Sequence, residues 1–236
     1  MNGAVEVIPL GRLALAFVPV AVVLLILWRW RLGVGNACYA LGRMLAQLVL
    51  IGYLLNFIFA AESSPLVLLV LGVMLGASGW IALQPLAQRT PGLYLRALGA
   101  IAAGGIVTLA LVTQGVLAAE PWYAPRVVIP LAGMIFANSM TAVSLAGERH
   151  FAELDNGKSF DVARRIAFQA ALIPQINALL AVGLVSLPGM MTGQILSGVS
   201  PLVAVRYQIM VMAMIFGSAG IAAACFLAWQ KHAPRP

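Results

Sequence analysis

Charge is what this sequence has least of. Asp, Glu, Lys and Arg make up 9% of the 236 residues, against about 25% in an ordinary soluble domain, while hydrophobic residues make up 62% and the mean hydropathy is +1.00. That balance excludes a water-soluble fold. The 14 Lys+Arg against 7 Asp+Glu leave +7, but charges this sparse belong to loops flanking membrane spans, not to a nucleic-acid-binding face. Cysteine is nearly missing too: Cys38 and Cys225 stand far apart beside apolar stretches, which excludes a disulfide framework or a Cys-x-x-Cys metal site and leaves them as packing residues. The two histidines, His150 and His232, fall outside the apolar runs, and no His/Glu or His/Asp pair has catalytic or zinc-ligand spacing, so an intramembrane hydrolase drops out. All seven acids, Glu6, Glu62, Glu120, Glu148, Glu153, Asp155 and Asp161, lie in loops or the N-terminal tail. Ion-coupled secondary transporters usually carry such groups at mid-membrane, so that class is disfavoured.

What is present is a series of apolar runs. A spanning helix needs about 20 mostly apolar residues, and seven candidates follow one another at 10–27, 44–59, 65–83, 97–118, 127–145, 170–187 and 209–228. The expected fold is an all-α, polytopic integral membrane protein, a single transmembrane domain over 1–236. Trp28-Arg29-Trp30-Arg31 follows the first run where a signal peptide would have a small-residue cleavage site, so that run reads as a retained anchor. The second run is short and is expected to borrow from 36–43, a stretch that also suits an amphipathic elbow. An N-out, C-in orientation leaves eleven basic residues inside, Arg235 among them, and only Arg12, Arg126 and Arg206 outside, as the preference of Lys and Arg for the cytoplasmic side requires.

The longest polar connection, 147–169, then faces the cytoplasm. Its candidate contact residues are Glu148, Arg149, Asp161, Arg164 and Arg165. Residues 159–168 have a Ser N-cap, an acid in the first turn and apolar residues at helical spacing, which predicts a short amphipathic helix, either a protein contact or a plain linker. Within the loop, Ala152-Glu153-Leu154-Asp155-Asn156-Gly157-Lys158-Ser159 mimics a loose P-loop. It has two acids inside it and no α/β context, so any ATP site is expected on another polypeptide.

Inside the runs the polar residues are neutral: Gln47 and Asn56, Asn138, Ser139, Thr141 and Ser144, then Gln175 and Asn177. Such groups turn away from lipid, either to bond another helix or to line a pathway. Gly72-x-x-x-Gly76 and Ala213-x-x-x-Gly217 allow close helix contact. At 186–198, Pro188 removes a backbone donor and Gly189 and Gly193 loosen the helix, so a broken segment with free carbonyls is expected near the external end, with Gln194 inside it. Met190 and Met191 are candidate soft ligands, although packing is their ordinary use, as it is for Met210 and Met214 on one helical face.

The string Val182-Gly183-Leu184-Val185-Ser186-Leu187-Pro188-Gly189-Met190-Met191-Thr192-Gly193-Gln194-Ile195-Leu196, followed by Ser200-Pro201 and Arg206-Tyr207-Gln208-Ile209, closely resembles the FetB-type family of ABC transporter permeases. Gly42-Arg43 with Gln47 and Gly52-Tyr53, Asn138-Ser139 with Val143-Ser144-Leu145, and Ala171-Leu172-Ile173-Pro174-Gln175-Ile176-Asn177 are further matches, from about Gly42 onward. The resemblance implies a homodimeric permease in a bacterial cytoplasmic (inner) membrane, with separate ATP-binding subunits that hold ATP and Mg, bacterial members linked to iron export, and plant relatives associated with aluminium tolerance. Many members carry a longer charged stretch with a Leu-Ala-Leu-Gly-Ala-like segment, whereas this chain passes from Glu148 to Ala171 without it.

The expected function is therefore the permease subunit of an ABC exporter moving a metal ion, iron foremost, and not an enzyme. Its candidate pathway is Asn138, Ser139, Gln175, Asn177, Pro188, Gly189, Met190, Met191 and Gln194. This chain is expected to bind no cofactor itself, and its expected partners are the ATPase, a second permease copy, lipid and the ion, with no nucleic acid. Two alternatives stand beside it: an ABC permease for an organic solute or metal chelate, and a membrane scaffold subunit without its own pathway. A stand-alone channel or secondary transporter is the weakest reading for lack of intramembrane carboxylates.

Overall fold

A computed structural model describes residues 8–60, 63–87 and 89–231; Glu6, Glu62, His232, Arg235 and the side chain of Asn56 lie outside what is described. Regular structure among the described residues is helical, apart from one isolated bridge between Val182 and Ser186. The chain groups into two compact units, Met1–Ala61 and Glu62–Pro236.

In the first unit, α1 (Leu10–Leu15) and α2 (Val18–Arg29) divide the expected run 10–27. Pro19, in the first turn of α2, has no N–H to continue the ladder, and the intervening residues close tight turns instead, Phe17 N–H donating to the Ala14 carbonyl. α3 (Val34–Ala60) is one 27-residue helix. The suggested elbow at 36–43 is thus part of α3, because nothing between Asn36 and Arg43 breaks a helix.

The second unit holds α4 (Ser64–Ala82), α5 (Pro91–Ala110) running on through a π-helical turn (Leu111–Val116), α6 (Pro125–Asp155), α7 (Phe160–Ala181), α8 (Gly189–Leu196) and α9 (Pro201–Trp229). Several helices begin well before the hydrophobic run that predicts them. α5 starts at Pro91, where Leu93 N–H donates to Thr90 Oγ1 at 3.2 Å; α9 starts at Pro201. Proline suits the first turn because its missing donor would be unpaired there in any case.

The largest departures surround the polar connection. The expected loop 147–169 is mostly helix: α6 runs on to Asp155 and α7 begins at Phe160, leaving a tight turn at 156–159. Residues 146–155 contain no proline and their one glycine, Gly147, lies close against Phe226 and Leu86 in mid-helix, while Gly157 supplies the left-handed φ of +77° that reverses the chain. The predicted amphipathic helix exists, but as the first turns of α7. At 31 residues, α6 is about 46 Å long and outreaches a hydrocarbon core of about 30 Å.

The expected run 170–187 is corrected. α7 stops at Ala181, where Gly183 takes φ +85° and the Val185 and Ser186 N–H groups fold back to the Ala181 carbonyl. Its early turns carry Asp161, Arg164 and Arg165, leaving 168–181 as its apolar part, about 21 Å. Among the described residues, six helices are long and apolar enough to cross a membrane: Leu10–Arg29, Val34–Phe59, Ser64–Ala82, Pro91–Val116, Pro125–Asp155 and Pro201–Trp229.

The core of the second unit is the mutual packing of α5, α6 and α9. α4 lies on α5 and α6, α7 on α6 and α9, and α8 on α9. The close approach is made by Gly104, where a Cβ would fall 2.5 Å from the Ser218 carbonyl and 2.9 Å from the Ala222 nitrogen, and by Gly105 against the Phe136 ring. Ala219, Ala222, Ala223 and Phe226 are fully buried beside it. The glycines singled out from sequence behave otherwise. Gly72 and Gly217 have nothing within 4 Å of a Cβ position, while Gly76 accepts a hydrogen bond from Tyr94 through its carbonyl at 3.3 Å.

Candidate functional site

Asn138 and Ser139 are neighbours on α6 and so point about 100° apart. The Asn138 Nδ2 group donates to the Met134 carbonyl at 2.8 Å, satisfying itself within its own helix. Ser139 is 0% exposed and its Oγ has no hydrogen-bond partner. On α7, Gln175 is buried whereas Asn177, two residues on, is exposed. The four amides and hydroxyls expected together therefore do not share one face.

The broken segment is arranged differently from the expectation. Pro188 caps α8, and its carbonyl is taken up by Thr192, whose N–H donates at 3.0 Å and whose hydroxyl donates at 3.1 Å. Gly189 is exposed at the first position of α8, and the Gln194 Oε1 is buried without a partner. The adjacent thioethers part company. Met190 joins Met134, Tyr207, Met210 and Arg126 around a cavity of about 240 Å³, while Met191 faces a separate cleft of about 560 Å³ against α9. Met214 is buried in the core, as its packing role requires.

Gln208 stands in the string that carries the family resemblance but not among the candidate pathway residues. It is 5% exposed, it lines the cleft beside Met191, and its Oε1 has no partner. The available signal was an amide one turn from a run of aliphatic residues on α9, the same signal that singles out Gln175. Among the described residues, no three His, Cys, Asp or Glu side chains come together. An ion at the candidate pathway residues would meet amide, hydroxyl, carbonyl and thioether groups.

The tip of the α6–α7 hairpin gathers the charged candidates beyond the apolar part of α6. Arg149 Nη2 meets the buried Glu153 carboxylate at 2.6 Å, and Arg164 Nη2 meets Asp161 at 3.0 Å. Glu148 and Arg165 are exposed. Between them His150 is fully buried, edge-on to the Phe160 ring at 5.2 Å, with neither ring nitrogen hydrogen-bonded, and the Arg164 guanidinium lies 5.7 Å from the centre of that same ring. Burial holds the His150 pKa below the ordinary histidine value, outweighing the nearby Ala163 backbone, which favours the charged ring, and aided by the charge of Arg164. The P-loop lookalike is spent on this hairpin: 152–155 are the last turn of α6, and the Gly157 and Lys158 N–H groups donate to the Leu154 and Glu153 carbonyls. Those amides are therefore turned into the hairpin, where a phosphate cradle would need them facing outward.

The family described as "Uncharacterised protein family (UPF0014)" matches residues 10–160 and 155–233. A UPF0014 membrane protein of Synechocystis is 34% identical over 83% of this chain and 81% of its own. The protein named probable iron export permease protein FetB of Escherichia coli is 35% identical over 93% of this chain and 90% of its own. The Arabidopsis thaliana protein ALUMINUM SENSITIVE 3 is 32% identical over 83% and 76%. No solved structure matches.

Proposed function

Because the chain belongs to the UPF0014 family of membrane proteins, we propose that it is the permease subunit of an ABC exporter, moving a metal ion, iron foremost, out of the cytoplasm. The observation that carries this reading is the likeness, over nearly the full length of both chains, to a protein named as a probable iron export permease. ATP and Mg belong to a separate subunit in this scheme, and two permease copies form the membrane part in a bacterial inner membrane.

The α6–α7 hairpin supports a coupling role. Its tip presents Glu148 and Arg165 to solvent on the same hairpin as the Arg149–Glu153 and Asp161–Arg164 pairs, a mixed-charge surface suited to a protein partner. In the N-out orientation this tip is cytoplasmic. Closure of the ATPase dimer would push on it and move α6 and α7 together, alternating access to a pathway that includes Ser139, Gln175, Met190 and Gln194.

The test is ATP-dependent Fe²⁺ flux in sealed vesicles holding this chain and its candidate ATPase, with a hydrolysis-deficient ATPase as control. Flux that requires both subunits and runs away from the nucleotide side is expected. ATP hydrolysis stimulated by no metal, with no metal movement, overturns the ion reading; metal movement without any ATPase overturns the ABC reading.

A further inference from the structure

Three methionines from three helices, Met134 on α6, Met190 on α8 and Met210 on α9, line one cavity of about 240 Å³. They are remote in sequence, so the packing of the helices brings them together and no local motif does. The ordinary use of methionine is to fill gaps in a core, yet here three of them border a gap. Each is half-buried, so none is sealed within the core. The remaining walls are aliphatic, apart from Tyr207 and Arg126.

The donor set decides what fits. No carboxylate, imidazole or thiol lines the cavity, so Mg²⁺, Ca²⁺ and Zn²⁺ would lack the ligands they favour. A thioether is uncharged and polarisable, and it binds soft metals, Cu(I) among them, by donating sulfur electron density rather than by opposing charge. Arg126 bears on the charge of the ion: it is exposed, so water and salt screen it, and at a given distance it repels a monovalent cation half as strongly as a divalent one. We propose that Met134, Met190 and Met210 form a three-thioether site for a soft monovalent cation, Cu(I). The cavity is wider than one ion, and the three rotatable bonds of each methionine let the sulfurs close upon it. Met191 takes no part, since it faces the other cleft. Met190 also belongs to the proposed iron pathway, but this site is read by binding without flux, so its failure leaves the transport reading standing, and the converse holds equally.

The test uses the full chain purified in detergent with Cys38 and Cys225 replaced by serine, so that no thiol competes for the metal. Cu(I), kept reduced by ascorbate without oxygen, is titrated against bicinchoninate, a coloured Cu(I) chelator, and the loaded protein is studied by copper X-ray absorption. One Cu(I) per chain in a shell of three sulfurs is expected, with Fe²⁺ in excess failing to displace it. M134L, M190L and M210L nearly conserve side-chain volume, and each should weaken binding by more than about tenfold, the usual cost of losing even an outer-shell partner. M191L, at the neighbouring position, should leave the affinity unchanged. Thermal midpoints of the metal-free variants identify any that fail to fold, and the sulfur shell of the parent stands independently of all of them. Absence of stoichiometric binding, a shell with fewer than three sulfurs, or an unchanged affinity in the folded single variants overturns the proposal. So does an equal loss in M191L, which would mean that the metal takes methionines without regard to the cavity.

Discussion

Gly217, expected at a close helix contact, and Gly104, which the sequence does not single out, behave oppositely to that expectation, and the difference is measurable. At Gly104 any Cβ meets backbone atoms of α9, which cannot rotate away, so Gly104→Leu should force α5 from α9 and destabilise the protein by about 3 kcal/mol, seen as a lower thermal midpoint in detergent. At Gly217 nothing lies within 4 Å, and Gly217→Ala should raise the midpoint through helix propensity alone, by about 0.5–1 kcal/mol. Ser139 sets stability against use. Its buried, unpartnered hydroxyl makes Ser139→Ala stabilising by about 1 kcal/mol, while the proposed pathway has the same substitution lower Fe²⁺ flux; a stability gain with unchanged flux would remove Ser139 from that pathway. Sequence marked narrow faces at Gly72, Gly76 and Gly217 and passed over Gly104 and Gly105, where the helices come closest. A G-x-x-x-G spacing states that a helix has a narrow face, whereas the partner at Gly104, the Ser218-x-x-x-Ala222 face of α9, is fixed by how three helices cross.

Elements were legible where hydrophobicity sets them and misread where polar helix continues. The run 65–83 coincides with α4 to within a residue, because its composition is apolar from end to end. α6 and α7 were cut short, since a hydropathy reading ends a span at its first charges although the backbone has no reason to stop there. The hairpin they form has a pH signature. His150 has a folded pKa lowered chiefly by burial, so the unfolded chain binds its proton more readily. The hairpin's stability is complete above about pH 6.5, the unfolded histidine value, and declines as pH falls from there toward the folded pKa. Protection factors of the 146–168 amides, with each exchange rate referred to the intrinsic rate at the same pH, should fall over that range in the wild-type protein, and His150→Leu should flatten the response. An unchanged slope in the variant would assign the effect to another group.

For the molecule as a whole, the number of crossings decides on which side each end lies. Seven crossings put the termini on opposite faces of the membrane and six put them on the same face, and α7 is the helix on which the difference turns. With Cys38 and Cys225 replaced, single cysteines at Asn156 and Leu184 should react with an impermeant maleimide from opposite sides, the first from the cytoplasm. Leu184 is 91% exposed, so a lack of reaction is not an effect of burial within the chain. Reaction of both from one side would make α7 re-entrant. Whichever holds, the length of α6 turns it into a lever with its fulcrum at the bilayer surface. With about 15 Å of rod outside the hydrocarbon, a tilt of ~10° sweeps the tip sideways by ~3 Å, and the short turn to α7 makes the second rod follow. The two arms are unequal: a partner that grips the tip needs only a small stroke, because the buried arm of about 30 Å moves about twice as far as the tip, at the expense of force.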